Sequence, residues 1–540
     1  MVKNYTIVHL DWVGHDDKSA SKLITATLVA VLVAYVTYNL FLHPLAGIPG
    51  PFISRSGLWS YRVNRAIFRD ASQSYDKLHD DYGAYVRIGR NHVMTADPAA
   101  VNVLYGHSSK WTKSGFYHLF RLGPPKGIMS ETDVKKHAAL RRASSSAYSI
   151  SALLELEVSV DIMVEKLFRQ LDGFVERKQP WNAGLWLQWF AMDVVGDLAF
   201  GKNFGLIEKA TDTNNLIPAV EDFVFVATLM GTFPTIGDPL FTAASAAGAG
   251  GRGAAHLMQV TQESVKARLK RAEEIVKAGG TTDELQKDML SRFLRAKDPE
   301  TGKKLTVDQI CTSATQVVGA GSDTTAITMR AIIYYTLVTP GVYEKLMEEL
   351  EAAVSNGSLT FPTPYNEGVK LEYFQAIVKE ALRYYPAVPW PMPRVAPEGG
   401  AHIGDHYFPP GSRVGMSAYA YHRRAYGHDS KRFRPERWIE ATDEEKKEME
   451  KNLLSFGGGA RVCIGRNISI MEMTKVIPYL FWTYHFSITP RGPGSPHKYK
   501  QGRGSDGVLD SESWYVKSSW FSSQYDFFLD VKKRDVEAVQ

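Results

Sequence analysis

The chain has 540 residues, of which 44% are hydrophobic, 11% aromatic and 22% charged, with a formal net charge of +5. This composition excludes a mainly disordered chain, and two thiols, Cys311 and Cys463, are too few for a disulfide framework and fit a reducing compartment. The lysines and arginines are scattered among acids, so no basic stripe invites nucleic acid.

Residues 1–22 form a short arm carrying Lys3, Lys18 and Lys22. Residues 23–42, LITATLVAVLVAYVTYNLFL, contain no charge and have the length a helix needs to cross a hydrocarbon layer of about 30 Å. A cleaved signal peptide is the rival reading, but its apolar core is normally about 7–15 residues and a small-residue cleavage site follows it; neither fits. Pro44, Pro49 and Pro51 in the 43–51 segment block helix continuation and make a stiff hinge. The lysines before the span and Arg55 and Arg62 after it leave the orientation open, although Asn4-Tyr5-Thr6 is a glycosylation triplet usable if the arm is lumenal.

Helical periodicity dominates the middle of the chain, within the segment 52–540 that follows the hinge. Apolar residues recur at three- and four-residue spacing through Leu153–Leu171, Leu185–Phe200, Val260–Val276 and Val307–Leu337. The last opens on Thr306-x-x-Gln309, a capping-box spacing, and stops before Pro340, which predicts roughly 50 Å of continuous helix. Alternation suited to strands is confined to Tyr85–Ile88, His402–Val414 and Tyr525–Val531. Length alone would allow two or three domains. The stretch GAGGRG at Gly248–Gly253, with Glu273 downstream, matches a dinucleotide pattern, but the preceding FTAASAA is no strand, so it reads as a loop between two helices.

The chemistry concentrates in FGGGARVCIG, Phe456–Gly465. A cysteine binds a metal as thiolate, which needs donors and positive potential around it. Gly457, Gly458, Gly459 and Gly465 let backbone N–H groups close in, Arg461 is two residues away, and a helix N-terminus follows from Asn467. Phe456, Gly459, Arg461, Cys463 and Gly465, spaced F-x-x-G-x-R-x-C-x-G, resemble the haem-binding loop of the cytochrome P-450 superfamily, the haem-thiolate monooxygenases. Other family segments appear upstream in order: HAALRR at His137, AGSDTT at Ala320–Thr325, KEALRYYP with Glu380 and Arg383, PMPRV with Arg394, and FRPERW with Arg437. The resemblance runs from the Pro-rich exit to about residue 533, and other segments are similar to fungal members that tailor secondary metabolites.

The resemblance implies a mainly α fold with small β-sheets, a single haem-centred catalytic domain behind an anchor in the endoplasmic reticulum, and haem b with Cys463 as axial ligand. It implies that Ala320 and Gly321 let the macrocycle approach the long helix, while Asp323 and Thr324 deliver protons for oxygen cleavage, with Thr325 behind them. Arg141, Arg394 and His137 would meet the haem propionates, although the family's usual tryptophan is replaced by His137. Glu380, Arg383 and Arg437 would form a buried structural lock; without the resemblance, Glu380 and Arg383 read as an ordinary ion pair. Phe116, Val388, Trp390 and Met392, with the hairpin near Ser518–Phe521, would wall a pocket for a hydrophobic small molecule.

No flavin or nicotinamide motif survives scrutiny, so electrons from NADPH are expected through a separate cytochrome reductase, with a cytochrome b-type donor as the alternative, steered by Lys135, Lys136, Arg142, Arg466 and Lys475. Two other functions remain: a haem-thiolate isomerase or dehydratase that rearranges a peroxide, and a non-catalytic haem carrier or sensor. The Asp323–Thr324 pair disfavours both. Cys311, without ligand-spaced neighbours, reads as an ordinary thiol.

Overall fold

Twenty uncharged, mostly apolar residues form a helix that is exposed over most of its length. In the computed structural model, which describes residues 16–121, 125–246, 251–281, 285, 287–298, 300–489, 515–525 and 527–535, helix α1 (Asp16–Thr37) runs into a π-helical turn, Tyr38–Leu42. Together Ser19–Leu42, 24 residues of mean hydropathy 1.9, are long and apolar enough to cross a membrane. Its far end is docked: the Asn39 carbonyl accepts from Arg87 Nη1 at 2.7 Å, and Tyr35 donates to the Gly57 carbonyl at 3.2 Å. The Arg87 N–H donates to Pro49 at 2.7 Å, so the Pro-rich segment lies against the domain.

Helices α2 (Tyr61–Phe68) and α3 (Ala71–Tyr82) lead into the hairpin of β1 (Tyr85–Gly89) and β2 (His92–Thr95), followed by the short β3 (Thr112–Lys113). Next come α4 (Val134–Ser144), α5 (Glu157–Arg177), β4 (Trp181–Asn182), α6 (Ala183–Phe200), α7 (Leu216–Gly231), α8 (Pro234–Ala246) and α9 (Gly251–Lys277). The expected helix over 153–171 divides: Ile150–Leu154 is separate and α5 starts at Glu157. Of GAGGRG, residues 248–250 lie outside the described residues, while Gly251–Gly253 open α9.

The long helix is α10 (Val307–Val338), 32 residues with its capping box formed: the Thr306 side chain accepts from Gln309 N–H and Gln309 reaches back to Thr306 N–H. It threads the main apolar core, and Ala326–Tyr335 are buried on every face. After it come α11 (Glu372–Tyr384), β5 (Arg394–Val395), β6 (Ala401–Ile403), β7 (His406–Phe408), β8 (Arg413–Gly415), α12 (Ala418–Ala425) and α13 (Arg466–Thr483). The chain ends with β9 (Tyr484–Ile488), β10 (Tyr515–Ser518), β11 (Ser522–Tyr525) and β12 (Phe528–Lys533).

Sheet topology brings distant segments together. The largest sheet has the order β1-β2-β8-β5-β3, with His92 opposite Arg413 and Lys113 opposite Arg394. A second sheet is β4-β12-β9; β10 with β11 and β6 with β7 are hairpins.

Candidate active site

The loop before α13 is shaped by its glycines. Gly457 and Gly459 have φ of +70° and +55°, and a Cβ on Gly459 would meet the Tyr105 carbonyl at 2.1 Å, so only glycine fits. The turn closes when Cys463 N–H donates to Phe456 O at 2.8 Å. Backbone N–H groups of Gly465 and Arg466, at the start of α13, then face the sulfur. Burial pushes the thiol pKa up, and those two N–H groups, Arg141 and Arg466 pull it back. Cys463 nonetheless keeps accessible surface although protein surrounds it, and Ala320 on α10 is exposed as well.

A cluster of cations converges from four elements. Arg141 on α4 donates to Val462 O at 2.7 Å, holding the loop, and Arg461 donates to Glu131 O at 2.6 Å. Arg394 donates to Tyr117 Oη at 3.0 Å, and Lys113 to Met129 O at 2.7 Å. Among the described residues none of these four is in an ion pair with a carboxylate. Burial and then Arg394 push the Lys113 pKa far down and bring Arg461 to about 10; burial, then Arg461 and Lys113, hold buried His137 neutral, at about 3. A cradle of charges that repel one another is stabilised by an anionic guest. A thiol under two N–H groups, beside a cluster of cations that no carboxylate among the described residues pairs directly, is a donor set that fits haem: one sulfur for the iron and cations for two propionates.

Helix α10 supplies the opposing side. A Cβ on Gly321 would meet Val195 Cγ1 at 2.7 Å, so this glycine lets α6 pack tightly against α10. Thr324 donates back to Ala320 O at 2.9 Å, and Thr325 is bonded to Ser469, tying α10 to α13. Asp323 is buried; its Oδ1 accepts from Gln188 Nε2 at 2.6 Å, and Oδ2 has no partner among the described residues. Gln188 Oε1 in turn accepts from Arg330 at 2.9 Å, and Arg330 also donates to Gln524 O at 3.2 Å. Burial, followed by the negative charge of Glu221, pushes the Asp323 pKa up to about 7.

Behind the loop, Glu380 has no exposed surface and accepts from five donors. Arg383 bonds both oxygens, at 2.8 and 2.7 Å; Arg437 Nε, Trp438 Nε1 and Arg434 N–H bond at 3.1, 3.0 and 2.8 Å. Burial pushes this carboxyl up, but Arg383 and Arg437 outweigh it and hold it below the ordinary range. His422 carries the lock to the loop, its Nδ1 meeting Arg383 O at 2.7 Å and its Nε2 accepting Leu454 N–H at 2.9 Å. That pattern needs the neutral Nδ1–H tautomer, and burial holds the ring neutral with a pKa of about 3.

Phe116 and Trp390 stack at 6.4 Å between ring centres, and Trp520 of the β10–β11 hairpin lies 5.6 Å from Phe116. Val388 and Met392, on the same segment as Trp390, are half-buried. Lys135 and Lys136 are exposed, as is Arg466, whose guanidinium lies over the Phe456 ring; Arg142 is paired with Asp298 and Glu300. Lys475 corrects the expectation. It is 1% exposed and bonds Glu157 at 2.6 Å and Asp161 at 2.9 Å, so it pins α13 to α5 and offers nothing to a partner. The reason is helical phase: nine positions beyond Arg466 is about 900° of rotation, which places Lys475 on the opposite face.

Sequence reasoning missed Lys113, Gln188, Arg330 and His422. Gln188 lies 135 residues from Asp323 in the chain, and none of the four sits in a spaced motif.

The sequence profile described as Cytochrome P450 matches residues 58–507. The cytochrome P450 monooxygenase gsfF of Penicillium aethiopicum is 36% identical over 498 residues, covering 88% of this chain and 96% of that protein. A cytochrome P450 monooxygenase of Aspergillus terreus is 34% identical, over 86% of this chain and 96% of its own length. Among solved structures, the haem domain of cytochrome P450DA superposes with a TM-score of 0.70 at 19% identity, covering 91% of this chain and 98% of that one, a likeness of fold.

Proposed function

The chain belongs to the cytochrome P450 family of haem-thiolate enzymes, and from that premise we propose a membrane-anchored monooxygenase that places one oxygen atom of O2 into a hydrophobic small molecule of fungal secondary metabolism. Electrons come from NADPH through a separate reductase. α1 anchors the protein in the endoplasmic reticulum, with the catalytic domain in the cytosol.

The observation that carries this reading is the Cys463 thiol beneath the α13 N–H groups, beside a cluster of Arg141, Arg394, Arg461 and Lys113 with no direct carboxylate ion pair among the described residues. Bound there, haem supplies oxygen activation through a sulfur-ligated iron. The chain supplies the rest. Arg141, through Val462 O, and Arg461, through Glu131 O, fix the loop just before Cys463, and with Arg394, Lys113 and neutral His137 they would hold the propionates. Asp323, near pKa 7, holds or releases a proton at working pH from Oδ2, while Gln188 fixes Oδ1. The Thr324 hydroxyl, one turn from Ala320 on the same helix, relays it. Phe116, Trp390 and Trp520 exclude water and orient an apolar substrate.

Purified enzyme given NADPH, O2 and a reductase tests this against the isomerase reading. Turnover that requires all three supports it; turnover of an organic peroxide with none of them overturns it.

Two expected results follow from the placement of charge. Asp323→Asn should lower kcat roughly 100-fold with haem content unchanged, and should remove an inflection near pH 7 that wild type shows as this carboxyl ionises; an unchanged pH–rate profile would remove Asp323 from proton delivery. Lys135→Glu with Lys136→Glu should slow reduction by the reductase about tenfold at low salt and less at high salt. Stopped-flow reduction measures it, and equal rates would place the docking surface elsewhere.

A further inference from the structure

Beside the Phe116–Trp390 wall lies a second set of polar groups that none of the steps above uses. Arg62 on α2 is 2% exposed, and its guanidinium lies over the Phe116 ring at 5.9 Å. Its Nη2 donates to the Thr232 carbonyl at 3.1 Å; Nε and Nη1 are buried and have no partner among the described residues. Among the described residues no acid is in an ion pair with it. The charge that acts on it most strongly is another cation, Arg413 on β8, and burial followed by Arg413 lowers its pKa to about 9.

The neighbours repeat the pattern. His92, opposite Arg413 in the sheet, is buried with both ring nitrogens unpartnered among the described residues, and burial with Arg62 and Arg413 keeps it uncharged. Tyr75 on α3 has no exposed surface and its hydroxyl is also unpartnered; its ring meets Trp390 edge-on at 5.7 Å. Trp390 Nε1 is a further buried donor without an acceptor. The nearby acids are committed elsewhere: Asp70 to Arg65 and Asp76 to Arg424. Unpartnered donors from α2, α3, β2 and the Trp390 segment thus lie close enough to act on one another or on the aromatic wall, and among the described residues no carboxylate pairs with Arg62. Buried cations in folded proteins are paired, because removing an ion from water is costly unless a counter-charge and hydrogen bonds replace the solvent.

We propose that Arg62, with Tyr75 and His92, forms a subsite for an ionised acidic oxygen of the substrate, a carboxylate or phenolate carried on an otherwise apolar skeleton that packs on Phe116 and Trp390. This rests on the reading of the protein as an oxygenase of small molecules and adds the substrate's chemical class. Arg62 supplies charge and two unpartnered donor nitrogens, Nε and Nη1; Tyr75 Oη and one nitrogen of neutral His92 supply further donors. Held at this end, the acid group is the fixed point from which the rest of the molecule extends along the wall.

The test is binding without turnover, using the full-length, haem-loaded protein in detergent. Two matched pairs serve as probes: dodecanoic acid with methyl dodecanoate, and 2-anthroic acid with its methyl ester. Each is titrated by calorimetry at pH 8. In wild type, at least one acid should bind tenfold or more tightly than its ester. Arg62→Gln should abolish that preference with ester affinity unchanged, and Arg62→Lys should retain part of it. Acids no tighter than esters in wild type, or a preference that survives Arg62→Gln, overturns the proposal, and the wild-type comparison decides even if a variant does not fold. An Arg62-dependent acid preference in a protein that never oxygenates would sink the functional reading alone; oxygenation of neutral molecules without any acid preference would sink this one alone.

Discussion

Cys463→Ser is expected to yield a folded chain whose reduced, carbon-monoxide-treated form lacks the red-shifted Soret band of thiolate-ligated haem, with monooxygenase turnover lost outright. The exchange is small in volume and leaves the loop's supports in place: Cys463 N–H still donates to Phe456 O, and Arg141 still holds Val462 O. A serine hydroxyl does not ionise near neutral pH, so the N–H groups of Gly465 and Arg466 and the charge of Arg141, which favour a thiolate, no longer have an anion to stabilise. Far-ultraviolet circular dichroism and the carbon-monoxide difference spectrum separate the two effects. A wild-type spectrum retained by the serine variant would show that the sulfur is not the ligand, and a wild type that binds no haem when folded would remove the basis of the whole site.

Glu380→Ala is the second large effect, and it falls on the fold. It leaves Arg383, with no exposed side-chain surface, and Arg437 without their shared carboxylate. Breaking a buried pair from one side costs about 3–5 kcal/mol, against a total stability of roughly 5–15 kcal/mol. Soluble yield and haem content should fall together, because His422 links Arg383 to Leu454, and Ser455 bonds Leu382, at the mouth of the Cys463 loop. Thermal unfolding and haem content per polypeptide measure this. A variant with wild-type melting temperature and full haem would show that the lock contributes nothing. The pH dependence has a definite sign: a carboxyl held below its unfolded value adds stability that is present above the unfolded pKa, about 4.3 for glutamate, and is lost as pH falls through the lower folded value. Wild type should therefore lose more stability than the alanine variant on acidification below pH 4.

The legible parts of this protein are those whose physical demand is local. An uncharged run of twenty residues, a capping box at Thr306, and a thiol caged by glycines each state their requirement within a few positions, and each is found where the spacing puts it. Lys475 shows where that reasoning fails. Proximity to Cys463 along the chain suggested an exposed cation, but helical phase turned it inward onto Glu157 and Asp161. Trp520 was visible only as part of a hairpin, and its contacts with Phe116 and Phe120 depend on how the C-terminal strands fold back.

By itself, then, the sequence determined the anchor-length span, the long helix, the cysteine loop and, through the order of its motifs, the family. Only the tertiary structure decided that Gln188 holds Asp323 and that Arg330 holds Gln188. It also decided that Lys113 joins Arg394 across paired strands, and that Arg62 is buried against the aromatic wall without a counter-charge. The reason is the same each time. Hydrogen bonds and charges act over a few ångströms of space irrespective of chain separation, so partners more than a hundred residues apart leave no periodicity or spacing to read until packing brings them together.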